Sequence, residues 1–412
     1  MNEVLRRKLE SAWYKMIMHQ KSIRRSLMLV PLALVLLAQQ APAQQSSWWP
    51  FSVNYAPAQG STPAIGDYRR KLQVYQDARA AFDEEAGAYW SGIAEKRRIR
   101  NAKRRAGQPV ALDDYVLDQP PIYTGPKRPV NPEPVEEPEP RARKALPVVA
   151  DFVRAAQEQY QFTPQRPATE AEFKRAYVRY ALASGLTRAQ AVRVYSFETG
   201  GNGNHDMQSG VRNGSRPIST AIGYNQLLTT NSVELLAEQG HELIRALTAK
   251  AGRLTGPARK AMDYKLAVLK RMVAHARAVP DTWSEHEKLG NTARGWAMHA
   301  MVLDIDVGPM LQAHKLLTSV QFARAKGYTR PLTAAELEMM NLTGDGTGLD
   351  MVTMPQTMRE RVPTSNFFQR GGYERNPVAI RNNTVSKLLA VTDARMDSNS
   401  NNAGAKELAA AL

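Results

Sequence analysis

The stretch "VYSFETGGNGNHDMQSG", residues 194–210, decides how this chain is read. An apolar helical run stops at a carboxylate, Glu198, and a glycine-rich polar loop follows. Upstream, "LTRAQAVRVYSFETGG" supplies Thr187 as an N-cap with Gln190 three residues on, the two partners of a capping box. The apolar stripe of that helix passes through Ala191, Val194 and Tyr195, and the next position on it, four beyond Val194, is Glu198. A carboxylate there is partly desolvated, which raises its pKa toward the range useful to a general acid. Gly200, Gly201 and Gly203 then let backbone and ligand approach closely. The competing reading is an ordinary solvated glutamate at a frayed helix end.

Working outward, the chain reads as mainly helical. "ATEAEFKRAYVRYALASGL" repeats the capping device with Thr169 and Glu172, buries Phe173, Ala176, Tyr177, Tyr180 and Ala181, and stops at Gly185. Further helices are expected at 231–250, 257–278, 291–325 and 333–342. Strand alternation is confined to "TAIGYNQLL". The end of the chain, "DARMDSNSNNAGAKELAAAL", reads as a flexible tail over 386–412.

Toward the N-terminus, Lys21, Arg24 and Arg25 precede an apolar run from Leu27 to Leu37 and then Ala41-Pro42-Ala43. This is the order of a secretory signal, with cleavage after Ala43, so 1–43 is expected to be a signal peptide with an N-terminal extension and the protein exported to the periplasm or cell envelope. The apolar run is short for a membrane span. Residues 44–66 read as an irregular leader and 67–118 as a long helical region. In that region Leu72, Tyr75, Phe82, Ala86, Tyr89 and Ile93 form a seven-residue seam broken once by Arg79. The seam packs on its own chain or a copy, or docks an envelope or secretion-apparatus partner through 67–105. Its basic end, "EKRRIRNAKRR", is either a solvated face or a hold on anionic polymer. Residues 119–147 are rich in proline and charge and are expected to be an extended linker, leaving 148–385 as the catalytic domain.

The whole chain of 412 residues has a net charge of +16; seven basic and two acidic groups lie in residues 1–43, so the mature chain carries +11. A basic protein seeks an anionic partner such as nucleic acid, a membrane surface or an acidic wall polymer. Export and the absence of a nucleic-acid recognition motif favour the wall. There are no cysteines, which removes thiol nucleophiles and thiolate metal sites, and the seven histidines are scattered without a ligand-spaced pair. No cofactor or metal is expected.

Three segments, taken in order, resemble the lytic transglycosylases, the lysozyme-like enzymes that cut the glycan strands of peptidoglycan. Glu198-Thr199 stands for the family's Glu-Ser at a helix end. Thr220-Ala221-Ile222-Gly223-Tyr224-Asn225-Gln226 stands for its Gly-Ala-Met-Gly-Leu-Met-Gln. "MMNLTGDG" echoes its Ala-Tyr-Asn-Ala-Gly, with Asn341 and Gly344 in place. The resemblance covers roughly residues 170 to 380. It departs in Thr199 for Ser, in Met340 for Tyr, and in a longer gap from Glu198 to Gln226. The family's serine has no counterpart in register, and Tyr373 matches a C-terminal family tyrosine only loosely.

The resemblance implies an α+β lysozyme-like catalytic domain within a mainly α protein. It also implies cleavage between N-acetylmuramic acid and N-acetylglucosamine. Glu198 would give a proton to the glycosidic oxygen, then take one from the muramic acid 6-hydroxyl as a 1,6-anhydro ring closes. Gln226, Thr199, Gly223, Tyr224, Asn341 and Tyr373 are the expected substrate contacts. A hydrolytic lysozyme would need a second carboxylate, roughly 6.5–9.5 Å away in an inverting enzyme, for which Asp206 is the candidate. A catalytically inactive wall-binding or scaffold protein is the third reading.

Overall fold

Thr187 caps its helix as its sequence predicts. In this computed structural model, which describes residues 63–132, 145–211 and 216–411, the Gln190 amide donates to Thr187 Oγ1 at 3.1 Å and the Thr187 amide donates to Gln190 Oε1 at 2.9 Å. The main helices are α1 (Pro63–Arg105), α2 (Val149–Tyr160), α3 (Glu170–Ala183), α4 (Arg188–Thr199), α5 (Thr229–Ala251), α6 (Gly256–Ala276) and α7 (Trp283–Gly290). They continue as α8 (Ala293–His299), α9 (Gly308–Ala325), α10 (Ala334–Thr343), α11 (Asp345–Thr353), α12 (Val385–Ser400) and α13 (Ala403–Ala410). The protein is mainly helical. Among the described residues β pairing is limited to isolated bridges, so the β part of the expected α+β fold is absent as a sheet; "TAIGYNQLL" forms a tight turn closed by Ile222 pairing with Leu227.

Two large apolar clusters share α9. One joins α2, α5, α6 and α8 to the start of α9 through Phe152, Leu236, Leu269 and Leu311; the other joins α3, α4, α10, α12 and α13 to its remainder through Tyr177, Val194, Leu316 and Leu408. The segment expected as one helix over 291–325 is broken before Pro309, which opens α9. The break is held by buried Asp304, which accepts from the backbone amides of Asp306 and Gln165 at 2.9 Å each and pairs with Lys265 at 2.9 Å.

The seam of α1 faces its own chain, one of the partners expected for it; three other expectations about organisation change. Tyr89 Oη meets Ser365 Oγ at 2.6 Å, Trp90 packs edge-on against Tyr373 at 5.7 Å, and Arg79 lies over the rings of Phe82 and Tyr123. That last cluster explains why a cation interrupts the seam, and it docks the start of the supposed linker along α1. Residues Thr62–Leu412 therefore form one compact unit, with no domain boundary at the Pro-rich stretch. Residues 133–144 of that stretch, the signal 1–43 and the leader up to residue 62 lie outside the described residues.

The basic end of α1 divides: Arg97, Arg100 and Lys103 turn toward the chain, whereas Arg98 and Arg105 keep the solvated face expected of such a run. Arg97 donates to the Asn366 and Phe368 carbonyls at 3.0 and 2.9 Å, and Lys103 pairs with Asp114 at 2.7 Å. Arg100, seven residues beyond Ile93 on the seam, is 1% exposed. It donates to the Asp114 carbonyl at 2.9 Å and faces Asp350 at 3.6 Å; Arg104 pairs with the same carboxylate.

The expected flexible tail is α12 and α13. Met396, Ala405 and Leu408 are fully buried in the second cluster. The polar run between the helices looked unstructured because its asparagines serve as caps.

Candidate active site

Those asparagines hold the end of α4. The last carbonyls of a helix lack intrahelical partners. Here Asn399 Nδ2 donates to the Ser196 carbonyl at 3.0 Å and Asn402 Nδ2 to the Gly200 carbonyl at 2.8 Å, while the Ala405 amide donates to the Gly201 carbonyl at 2.8 Å. Gly200 and Gly201 have φ of 66° and 75°, the left-handed region that glycine enters without strain. A Cβ on Gly201 would lie 2.1 Å from the Asn399 carbonyl oxygen. Gly201 thus admits α12, while Gly200 serves the left-handed cap and has open space beside it.

Glu198 occupies the last turn of this capped helix, its side chain 17% exposed. Burial pushes its carboxyl above the ordinary range, against the opposing pull of Lys315 and Arg395. Lys315 Nζ lies 3.7 Å from Glu198 Oε1. The same ammonium donates to the Asn225 carbonyl and, at 3.3 Å, to that of Gln226. Lys315 therefore joins the two motifs that the sequence set apart, Glu198 and the 223–226 turn.

That turn is built by α9. Residues 312, 315 and 319 fall on one face at spacings of three and four. Gln312 accepts from the Asn225 amide at 2.8 Å and donates to the Ile222 carbonyl at 3.1 Å; Ser319 donates to Asp345 at 2.5 Å. Gly223, at φ 82°, is required, because a Cβ there would stand 2.1 Å from Gln312 Nε2. Gln226 also has a positive φ, 46°, and its amide donates to the Gly223 carbonyl at 2.8 Å and the Met207 carbonyl at 3.2 Å. Such strain at a non-glycine residue persists only where surroundings impose it.

The expected substrate contacts divide. Gln226 and Gly223 stand beside Glu198 through Lys315, although the Gln226 amide nitrogen is already engaged within the turn. Asn341 also belongs to the cluster, by way of Glu338. Thr199 does not: it is 2% exposed and its hydroxyl donates back to the Tyr195 carbonyl at 2.7 Å. Tyr224 is fully buried, ringed edge-on by Phe173, Tyr177 and Tyr195, and donates its hydroxyl to Glu170. Tyr373 is buried against Trp90 and Phe368 in the α1 seam. A large aromatic beside a helical core tends to bury in it, and the motif match could not show otherwise.

Asp206 is paired with Arg166 at 2.8 Å, on a half-exposed loop. That loop is anchored by Glu170, which accepts from the His205 amide at 2.9 Å and faces His205 Nδ1 at 2.8 Å. Burial alone would raise the Glu170 carboxyl, but hydrogen bonds from His205 and Tyr224 hold it below its ordinary value. Among the described residues no group of three or more acids and histidines is placed to hold a metal.

Glu338 was missed. It sits on α10, fully buried, three residues before Asn341. Burial and the charge of Glu198 push its carboxyl well up, against Lys315 and Asn341. The signal was available: a glutamate inside the apolar run "LEMMNL" is a carboxylate placed where only a core residue belongs. Glu234 on α5 is pushed up to about 7 by burial and by Glu238.

Comparison of this chain with protein-family models, curated proteins and solved structures finds no match.

Proposed function

We propose that this chain is a lytic transglycosylase of lysozyme-like design that cleaves peptidoglycan between N-acetylmuramic acid and N-acetylglucosamine. One observation carries the reading: a desolvated carboxyl at a rigidly capped helix end, joined through Lys315 to the turn containing Gly223 and Gln226. Glu198 protonates the glycosidic oxygen as the bond to muramic C1 breaks. The substrate's acetamido oxygen assists at that carbon. The resulting carboxylate then removes the proton of the muramic 6-hydroxyl, whose oxygen closes the 1,6-anhydro ring. Glu198 ends as it began, protonated, and a water-activating carboxylate is unnecessary. Asp206, committed to Arg166, gives little support to a hydrolytic lysozyme. Export through the N-terminal signal belongs to the same proposal.

A second reading, a wall-binding protein with weak or no catalysis, draws on the inward-turned Thr199 and Tyr224 and on the ammonium beside Glu198. Incubating purified mature protein with peptidoglycan and analysing the fragments separates these readings. Anhydromuramyl ends support the proposal, reducing ends support the lysozyme, and binding without fragments supports the scaffold.

A further inference from the structure

Two acids and one base share the interior beside the turn. Glu338 is fully buried; the Asn341 side chain bears on its carboxyl, but neither oxygen has a donor in good hydrogen-bond geometry among the described residues. Its helix α10 packs against α4, which brings Glu198. It also packs against α9, which brings Lys315. Of the other charged groups on surrounding elements, Arg395 on α12 also bears on Glu198, from an exposed position over Phe197 at 5.1 Å. On α11, Asp350 faces Arg100 and Arg104, and Asp345 accepts from Ser319. On α10 itself, Glu336 pairs with Arg330 at 2.6 Å and Arg359 at 3.5 Å.

In the interior one ammonium thus stands against two carboxyls, and the exposed Arg395 adds its charge to Lys315 at Glu198. Buried like charges with a single counter-charge do not both ionise, so the trio retains one proton. Whether that proton is on Glu338 or on Glu198, the trio stays neutral. Moving it between the two creates no new buried charge, which is the expensive event in an interior.

We propose that Glu338 is the proton reservoir of this site, a buried positioning acid that exchanges one proton with Glu198 and does not touch substrate. The O–H bond on Glu338 breaks as one forms on Glu198, and the Lys315 ammonium turns its charge from the Glu198 carboxylate to that of Glu338. Glu198 can then meet the glycan protonated although Lys315, left on it, favours its carboxylate. The catalytic consequence rests on the reading of Glu198 as the reacting acid; the shared proton does not.

Carboxyl-selective carbon-13 NMR titration of the full chain, with the two signals assigned from Glu198→Gln and Glu338→Gln, tests this. In the wild type the two signals should move together in two steps. In Glu338→Gln, Glu198 should titrate in one step at lower pH, and the alkaline limb of muropeptide release should move down by the same interval with KM unchanged. Where that variant melts early, Glu338→Met and the wild-type titration read the same coupling. A single Glu198 step at the same pH in wild type and variant, or a Glu338 ionised throughout, would overturn the proposal. Coupled titration in a protein that releases no fragments would uphold the shared proton and sink the glycan reading.

Discussion

The basic end of α1 and the end of α4 bury charge in opposite proportions. In the α1 seam, the charges of Arg97, Arg100 and Arg104 converge around one acid, Asp350. Terminal guanidinium hydrogens of Arg97 and Arg100 go to carbonyls of 114, 366 and 368, although the Nε of each lacks a hydrogen-bond partner among the described residues. At α4 one lysine pairs with Glu198 and bears on Glu338 as well, and no cation pairs directly with the Glu338 carboxyl among the described residues. Surplus arginines keep their charge and become struts, since a guanidinium has five donors and does not release its proton in a folded protein. Surplus carboxyls take up a proton. The first arrangement fixes structure; the second stores something that can be transferred, and perturbed acids of this kind mark functional sites.

Truncating a strut should have the largest effect on stability. Arg100→Ala leaves Asp350 buried with fewer partners and should lower unfolding stability by about 3–5 kcal/mol in a denaturant titration. A change under about 1 kcal/mol would mean that the seam is solvated and the contrast false.

Glu170→Gln should come next, at about 1–3 kcal/mol near neutral pH, because it weakens bonds from His205 and Tyr224. Its pH dependence has a definite sign. The folded value is depressed, so the stabilisation is present above the unfolded carboxylate pKa and disappears as pH falls through the folded one. Wild-type and variant melting temperatures should therefore converge in acid. A gap independent of pH would show that the carboxylate's charge plays no part.

The smallest effect tests selectivity within one charge run. Arg98 and Arg105 are exposed. Their alanine variants should shift stability by no more than about 0.5 kcal/mol. Losses matching Arg100→Ala would erase the distinction between struts and surface.

Much of the helical frame was legible because caps and periodicity are local. Thr169, Thr187 and Gly185 sit where their chemistry places them, and the α1 seam was visible from Leu72 to Ile93. Its continuation to Arg100 was hidden by charge: a seven-residue step onto an arginine reads as solvent until Asp350, 250 residues away, is folded against it. The same non-local pairing hid the asparagine caps of α12 and α13. At the site, Glu198 followed from its stripe. Tyr224, Thr199 and Tyr373 were nominated by motif position alone, and packing turned each of them inward. Glu338 went unnoticed because its importance lies in Glu198 and Lys315, which reach it from two other helices.

The account turns on one carboxyl, and its most direct measurement is muropeptide release by wild type and Glu198→Gln from the same purified peptidoglycan, with melting temperatures recorded in parallel. The variant should fold as the wild type does and lose release by about 10²–10⁴-fold or more, the contribution of a positioned general acid, while the wild type yields anhydromuramyl ends. Equal release by the two proteins, or equal inertness, would contradict it.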